Sequence, residues 1–428
     1  MTTDIVSDKK IFERRESQVR SYCRSFDTVF TKAQGSTLHD ESGASYTDFL
    51  SGCSSLNYGH NDPDMKAALI DHITGDGIAH ALDMYTGPKA AFLETFERLV
   101  LAPRGMDHKI MMTGPTGTNA VEAAIKLARK VTGRTNVISF TNGFHGMTLG
   151  ALSLTGNAGK RGGAGVPLNG VTHLPYEGSL GDDVDTLSLI ETMLENGSSG
   201  IDAPAAFILE LVQGEGGLNA ASRTWVEGIA RLARKHGAKL IIDDIQAGLG
   251  RAGDFFSFDN MDIKPDMITL AKSLSGFGLP FALTLIRPEL DVWKPAEHNG
   301  TFRGNTHAFV TAKVALEKFW SDDAFKNDIA EKSAVLTKSL QHIADTIPGA
   351  RLKGRGMMQG VDVGNGDLAA AICAEAFLRG LVIETSGAND EVVKVLAPLT
   401  TPMDQFQQGL GILTEAAQTC VQTKIAAE

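Results

Sequence analysis

Residues 205–244 read AAFILELVQGEGGLNAASRTWVEGIARLARKHGAKLIIDD, and the order of patterns inside them decides the fold. AAFILELV (205–212) and KLIIDD (239–244) are apolar runs of the length of buried strands. Between them WVEGIARLARKHG places Trp225, Ile229 and Leu232 at helical spacing. Arg234, Lys235 and His236 fall in the last turn, where cations suit the helix dipole, and Gly237 is the stop. Strand, helix, strand predicts a mostly parallel sheet covered by helices on both faces, with its site beyond the carboxyl ends of the strands.

Two more apolar runs, DMITLA (266–271) and FALTLI (281–286), extend that sheet. Lys272 stands directly after the first of them, before the Gly/Ser-rich turn SLSGFGLP (273–280). A single lysine in such a place is usually a surface residue with a buried stem. Here Asp243 and Asp244 end the neighbouring run on the same rim, and carboxylates are rarely buried without a cationic partner. A lysine desolvated by strand residues has its pKa lowered and becomes an amine nucleophile toward carbonyl compounds.

A phosphate site completes the set. In TGPTGTNAVEAAIKLARKVTG (113–133), Val121, Ala124, Ile125 and Ala128 share one helical face, and Gly114 to Thr118 form a small hydroxyl-bearing loop at the helix start. Free amides and a positive dipole end suit a phosphate dianion; a plain cap at Thr116 or Thr118 fits the pattern equally well. Nucleophilic lysine, strand-end aspartate and helix-end phosphate site together point to pyridoxal 5'-phosphate. A rival signal is weaker: GLGRAG (248–253) matches the dinucleotide pattern, but DFFSFDNMDIKPD after it holds no helix, so it reads as a loop.

Composition bounds the rest. The chain has 428 residues, 43% hydrophobic and 21% charged, which is ordinary for a globular protein with more than one domain. A net charge of -11 without a basic run argues against nucleic acid as a partner. No apolar run reaches the ~20 residues that span a bilayer and the start MTTDIVSDKK is polar, so no membrane partner and a cytoplasmic location are expected. Cys23, Cys53, Cys373 and Cys420 lie far apart, which indicates neither a metal site nor a disulfide framework. Strand candidates such as GMMQGVDV (356–363) mix with helices such as LAAAICAEAFLRG (368–380) toward the ends. Residues 66–314 are therefore expected to form a large α/β domain, and 1–65 with 315–428 a smaller α+β domain.

GPTGTNAVEAA (114–124), FTNGFHGMTLGALS (140–153), LELVQGEGG (209–217), LIIDDIQAGLGRAG (240–253), LAKSLSGFGLP (270–280) and NGTFRGN (299–305) resemble the class III, or ω-, aminotransferases of pyridoxal phosphate fold type I. The resemblance runs from DFLSGCSSLNYGHNDP (48–63) to VLAPLT (395–400). It implies that Lys272 carries the cofactor and moves the proton, that Asp243 holds the ring nitrogen, that Gln246 meets the phenolic oxygen and that Phe144 stacks on the ring. It implies Gly117 and Thr118 at the phosphate, completed by Thr301 of a neighbouring subunit, hence a homodimer or larger homo-oligomer.

IFERRESQVRSYCRSF (11–26), ALDMYTGPK (81–89) and AEHNGTFRGN (296–305) narrow the resemblance to a branch that moves glutamate's amino group to aspartate 4-semialdehyde, at the head of ectoine biosynthesis. Tyr85 falls in the second of these segments as a substrate contact. The alternative is another ω-aminotransferase, acting on ornithine, GABA or lysine-type amines. Two departures from the family bear on substrate choice. Where many relatives carry an arginine in F-H-G-R-T this chain has Met147, while Arg303 has entered the T-F-R-G-N segment as a candidate carboxylate receptor or a structural ion pair. The family's arginine before the A-P motif, paired with a switching glutamate, corresponds to Lys394 and Glu215.

Overall fold

A computed structural model describes residues 9–427, with side chains through residue 423; the polar run MTTDIVSD (1–8) lies outside them. The strand, helix, strand unit folds as its pattern requires. Ala206–Leu209 and Lys239–Asp243 pair in parallel, and Arg223–Lys235 crosses between them with Trp225, Val226, Ile229 and Leu232 buried. The Ser222 side chain accepts the Trp225 N–H at the helix start, and Gly237 turns out at φ 64° after its end.

The central sheet has seven strands in the spatial order Lys109–Met112, Leu283–Ile286, Met267–Leu270, Lys239–Asp243, Ala206–Leu209, Val137–Phe140, Val171–Leu174. Leu283–Ile286 is antiparallel to both neighbours, and the other pairings are parallel. The reason is local. Between Leu270 and Leu283 the chain has only a short 3-10 turn, Lys272–Ser275, and a loop, too little for the crossover a parallel return needs.

AAFILELV does not stay one strand. It breaks after Leu209, and Val212–Gln213 pairs instead with Asn219–Ala220 in a separate ribbon. Glu210 causes the break: it turns into the interior, where its carboxylate accepts the Phe144 N–H at 2.8 Å, while Tyr176 Oη donates to the Glu210 and Leu211 carbonyls. One face of the sheet packs on Phe92, Trp225 and Phe281, the other on Val121, Ile125 and Ala151. Each fully buried Leu, Ile or Phe there stabilises the fold by about 1.5–3 kcal/mol.

A second core draws on both ends of the chain, joining Phe49 and Met65 to Leu336, Val395 and Phe406. Ser45–Asp48 pairs in parallel with Leu381–Val382, and Arg351–Arg355, Met358–Asp362, Val392–Val395 and Glu384–Ser386 make a four-stranded antiparallel sheet. Arg251, inside GLGRAG, ties this core to the central sheet. Its fully buried guanidinium donates to the carbonyls of Met357 (3.1 Å) and Ala397 (2.7 Å) and to Asn57 Oδ1 (2.7 Å). The segment is a loop, as its sequence predicts, and its work is mechanical. Among the described residues no helix is long and apolar enough to cross a membrane.

Candidate active site

The carboxyl ends of the parallel strands open into a cavity of about 320 Å³ lined by Gly117, Thr118, Phe144, Asp243, Gln246 and Lys272. All six are sequence-predicted residues, and their separation in the chain disappears because register sets them on one rim. Asp243 pairs with Thr269 in the ladder, which brings Lys272 to the same edge.

Asp243 is 3% exposed and held from two sides. His145 Nδ1 donates to its Oδ2 at 2.7 Å, and Thr269 Oγ1 donates to its Oδ1 at 2.9 Å. Burial would push the His145 imidazolium down, but the hydrogen bond and charge of Asp243, with Glu210 beyond, outweigh it and hold its pKa above the ordinary value. Glu210 itself is pushed up to about 7 by burial. Asp244 is excluded from the site: its Oδ2 accepts the Ser257 N–H at 3.0 Å, and burial pushes its carboxyl up to about 7.

Lys272 is half-buried at the junction of two pockets, and desolvation pushes its amine pKa down against the pull of Glu215 and Cys53. It sits at φ 50°, a left-handed conformation that costs a non-glycine residue on the order of 1–3 kcal/mol. The next residue supports it: Ser273 Oγ donates to the Ser54 carbonyl at 2.7 Å and accepts the Asn57 N–H at 2.9 Å. The strained turn aims the lysine, and the amino-terminal segment keeps it strained.

At the other end of the cavity the Gly117–Thr132 helix begins. Asn119 Oδ1 accepts both the Thr116 N–H (3.2 Å) and the Thr116 hydroxyl (2.8 Å), so Thr116 serves the cap while Gly117 and Thr118, in the first turn where amides lack helical partners, line the cavity end. Gly146 lets the Phe144 loop approach, since at φ 130° any Cβ would run into Thr118 Oγ1. The donor set fits pyridoxal phosphate: a helix start for a dianion, a buried carboxylate for a ring nitrogen, a desolvated amine and an aromatic face. Among the described residues no three His, Cys, Asp or Glu side chains gather as a metal would need.

A second pocket of about 840 Å³ shares Phe144 and Lys272 and adds Tyr22, Cys53, Glu215 and Glu384. Behind it Lys394, 0% exposed, bridges Glu215 Oε1 (3.0 Å) and Glu384 Oε1 (2.9 Å). Burial would lower the Lys394 pKa; the two carboxylates outweigh it and hold the ammonium above its usual range. Glu215 is carried down to about 2, burial being overcome by Lys394, Lys272 and Lys160. The expected Lys394 and Glu215 pair is present, with Glu384 as an unforeseen third member.

Three predicted contacts lie elsewhere in the chain. Arg303 lines a neighbouring pocket that meets the cofactor cavity only at Pro115 and Pro280, and its Nη1 is 3.9 Å from Asp83. Tyr85 is fully exposed and Thr301 is exposed. None of the three reaches the Lys272 cavity within one chain.

Sequence reasoning missed His145, Glu210, Thr269 and Glu384. The available signal was polarity inside apolar runs: Glu210 in AAFILELV, Thr269 in DMITLA and Glu384 after LVI. His145 gave none, because its partner lies 98 residues away.

The Aminotransferase class-III family pattern matches residues 20–417. The chain is 54% identical, over 98% of each sequence, to a protein of Halalkalibacterium halodurans named diaminobutyrate--2-oxoglutarate transaminase. It is 54% identical to a Vibrio cholerae protein of the same name, over 94% of this chain and 98% of the other. The crystal structure of the ornithine aminotransferase from Toxoplasma gondii ME49 superposes with a TM-score of 0.83, at 25% identity over 97% of this chain and 95% of that one.

Proposed function

The chain belongs to the class III aminotransferases, and from that premise we propose that it transfers the amino group of L-glutamate to L-aspartate 4-semialdehyde, giving L-2,4-diaminobutyrate and 2-oxoglutarate. The observation that carries this reading is identity above half, over nearly the whole length, to proteins named for that reaction, joined to a lysine and aspartate rim suited to it. The cofactor is pyridoxal 5'-phosphate, which supplies the carbonyl that carries the amino group and a ring that withdraws electrons from the reacting carbon.

The chain's own residues do the rest. Lys272 Nζ would hold the cofactor and then move the proton at the reacting carbon, work for which an amine of lowered pKa is suited. Asp243, fixed by His145 and Thr269, would keep the ring nitrogen charged. Gln246 would meet the phenolic oxygen, Phe144 the ring face, and Gly117 with Thr118 the phosphate. Glu215 would leave Lys394 when glutamate enters, so that the lysine takes the α-carboxylate, and return for the diamino substrate. Glu384 keeps Lys394 partly neutralised throughout, which limits it to one weak new partner at a time.

Thr301, Arg303 and Tyr85 enter this reading from a second subunit, because one chain alone does not bring them to Lys272. A homodimer with shared sites follows, and diaminobutyrate made by it would supply ectoine synthesis. The test is a panel of amines and oxo acids assayed with glutamate as donor. Aspartate 4-semialdehyde should be the preferred acceptor; higher activity with ornithine or GABA than with diaminobutyrate overturns the assignment.

A further inference from the structure

Both amino donors of the proposed reaction carry a carboxylate at one and the same distance from the carbon that reacts. In glutamate the side-chain carboxylate carbon lies three bonds from the α-carbon; in 2,4-diaminobutyrate the α-carboxylate carbon lies three bonds from the γ-carbon. One fixed cation can therefore serve both half-reactions.

The 840 Å³ pocket offers few cations for that task. Lys272 belongs to the cofactor. Lys394 is fully buried between two carboxylates. Arg24, at the rim, donates Nε to the Arg20 carbonyl (3.2 Å) and Nη2 to Gln18 Oε1 (2.9 Å). Lys160 remains. Its side chain is 35% exposed, and its Nζ lies 3.6 Å from Glu215 Oε2, near enough for charge attraction but too far for a hydrogen bond. The ammonium stands 4.4 Å from the ring centroid of Phe144, a residue that also lines the cofactor cavity.

The backbone under Lys160 is fixed. Asn157 Oδ1 accepts its N–H at 3.0 Å, and Arg161 Nη1 donates to the Ser153 and Thr155 carbonyls at 3.0 Å each. Glu215 and the Phe144 ring locate the ammonium, and Met147, exposed and neutral, lines the same pocket among the described residues.

We propose that Lys160 is the receptor for the distal carboxylate of both amino donors, a specificity-determining residue shared by the two half-reactions. The assignment rests on the reaction proposed above. It is tested in the holoenzyme with two pairs of amines that differ by that carboxylate: glutamate against norvaline, and diaminobutyrate against 1,3-diaminopropane. Lys160→Met should lower kcat/KM for glutamate and for diaminobutyrate by about tenfold each, mainly through KM, the worth of one charge-assisted hydrogen bond. Norvaline and 1,3-diaminopropane should change by less than about twofold, since they never used the charge. Lys160→Arg should restore most of the loss. Equal losses with all four amines, a loss with only one of the two acids, or the same pattern produced by Arg303→Lys and not by Lys160→Met would overturn the proposal. Should the wild type reject diaminobutyrate, the reaction assignment falls by itself. Calorimetric affinity for 2-oxoglutarate against 2-oxopentanoate then decides Lys160: weakening by Lys160→Met confined to 2-oxoglutarate supports the role, and unchanged affinity for both ends it.

Discussion

At the scale of single residues, the site works by giving two ordinary side chains unusual surroundings. Lys272 is partly desolvated and takes a left-handed backbone, and Asp243 is clamped by a histidine and a threonine. Lys272→Ala should leave the fold intact and cost at least the ~10²–10⁴-fold that a positioned proton carrier contributes. Borohydride reduction of the wild type and peptide mapping should place the cofactor on Lys272; a label on another lysine would refute the assignment. Asp243→Asn should retain cofactor yet lose on the order of 10²–10³-fold in kcat, because a neutral amide cannot hold the ring nitrogen charged. Near-normal turnover of that variant would show the acid to be misassigned, although Asp244, turned to Ser257, is no candidate to replace it.

At the scale of elements, charge is placed by strand register. Glu384 and Lys394 are direct cross-strand partners in the antiparallel pair Glu384–Ser386 and Val392–Val395, and Glu215 reaches the same ammonium from the loop after Val212–Gln213. Lys394→Met leaves two carboxylates without their shared cation and should destabilise the protein by about 3–5 kcal/mol. Adding Glu384→Gln should recover part of that loss in urea unfolding; no recovery would mean that Glu384 does not depend on Lys394. The end of the Lys239–Asp243 strand gives a pH prediction. The Asp244 carboxyl is raised from 3.8 in the open chain to about 7 in the fold, so between those values the folded state binds more protons. Its contribution to stability is present below about 4 and is lost as pH rises through about 7. Asp244→Asn should flatten that decline in thermal midpoints measured from pH 4 to 8, and an unchanged slope would assign the decline to other groups such as Glu210.

At the scale of the whole molecule, one chain builds the cofactor cavity but leaves Thr301 and Tyr85 on the surface. Mixing Lys272→Ala chains with chains inactivated at Thr301 should restore partial activity, since each heterodimer would hold one site with an intact lysine and an intact threonine. Full activity in a strictly monomeric preparation would defeat the shared-site reading. The same scale explains Arg251, whose buried bonds join residues 57, 357 and 397 and so hold the two cores against each other across the site. Alanine there would leave those acceptors unpaired in the interior.

Local chemistry in the chain was enough to determine the strand, helix, strand unit, a helix start within residues 114–118, and the placing of Lys272 and the Asp243-Asp244 pair at strand ends. Those features depend on hydrophobic period, capping and residue type, all of which act between near neighbours. Tertiary structure decided what depends on contact across long separations. The antiparallel return of Leu283–Ile286 and the break at Glu210 came from competition among partners that no local pattern contains. His145 found Asp243, and Glu384 joined Glu215 on Lys394, because burial penalises an unpaired charge wherever in the sequence its partner stands. Arg303, read within NGTFRGN as a candidate carboxylate receptor or a structural ion pair, lies outside the Lys272 cavity of its own chain: sequence adjacency to Thr301 sets its distance from that residue, and only the fold sets its distance from the lysine.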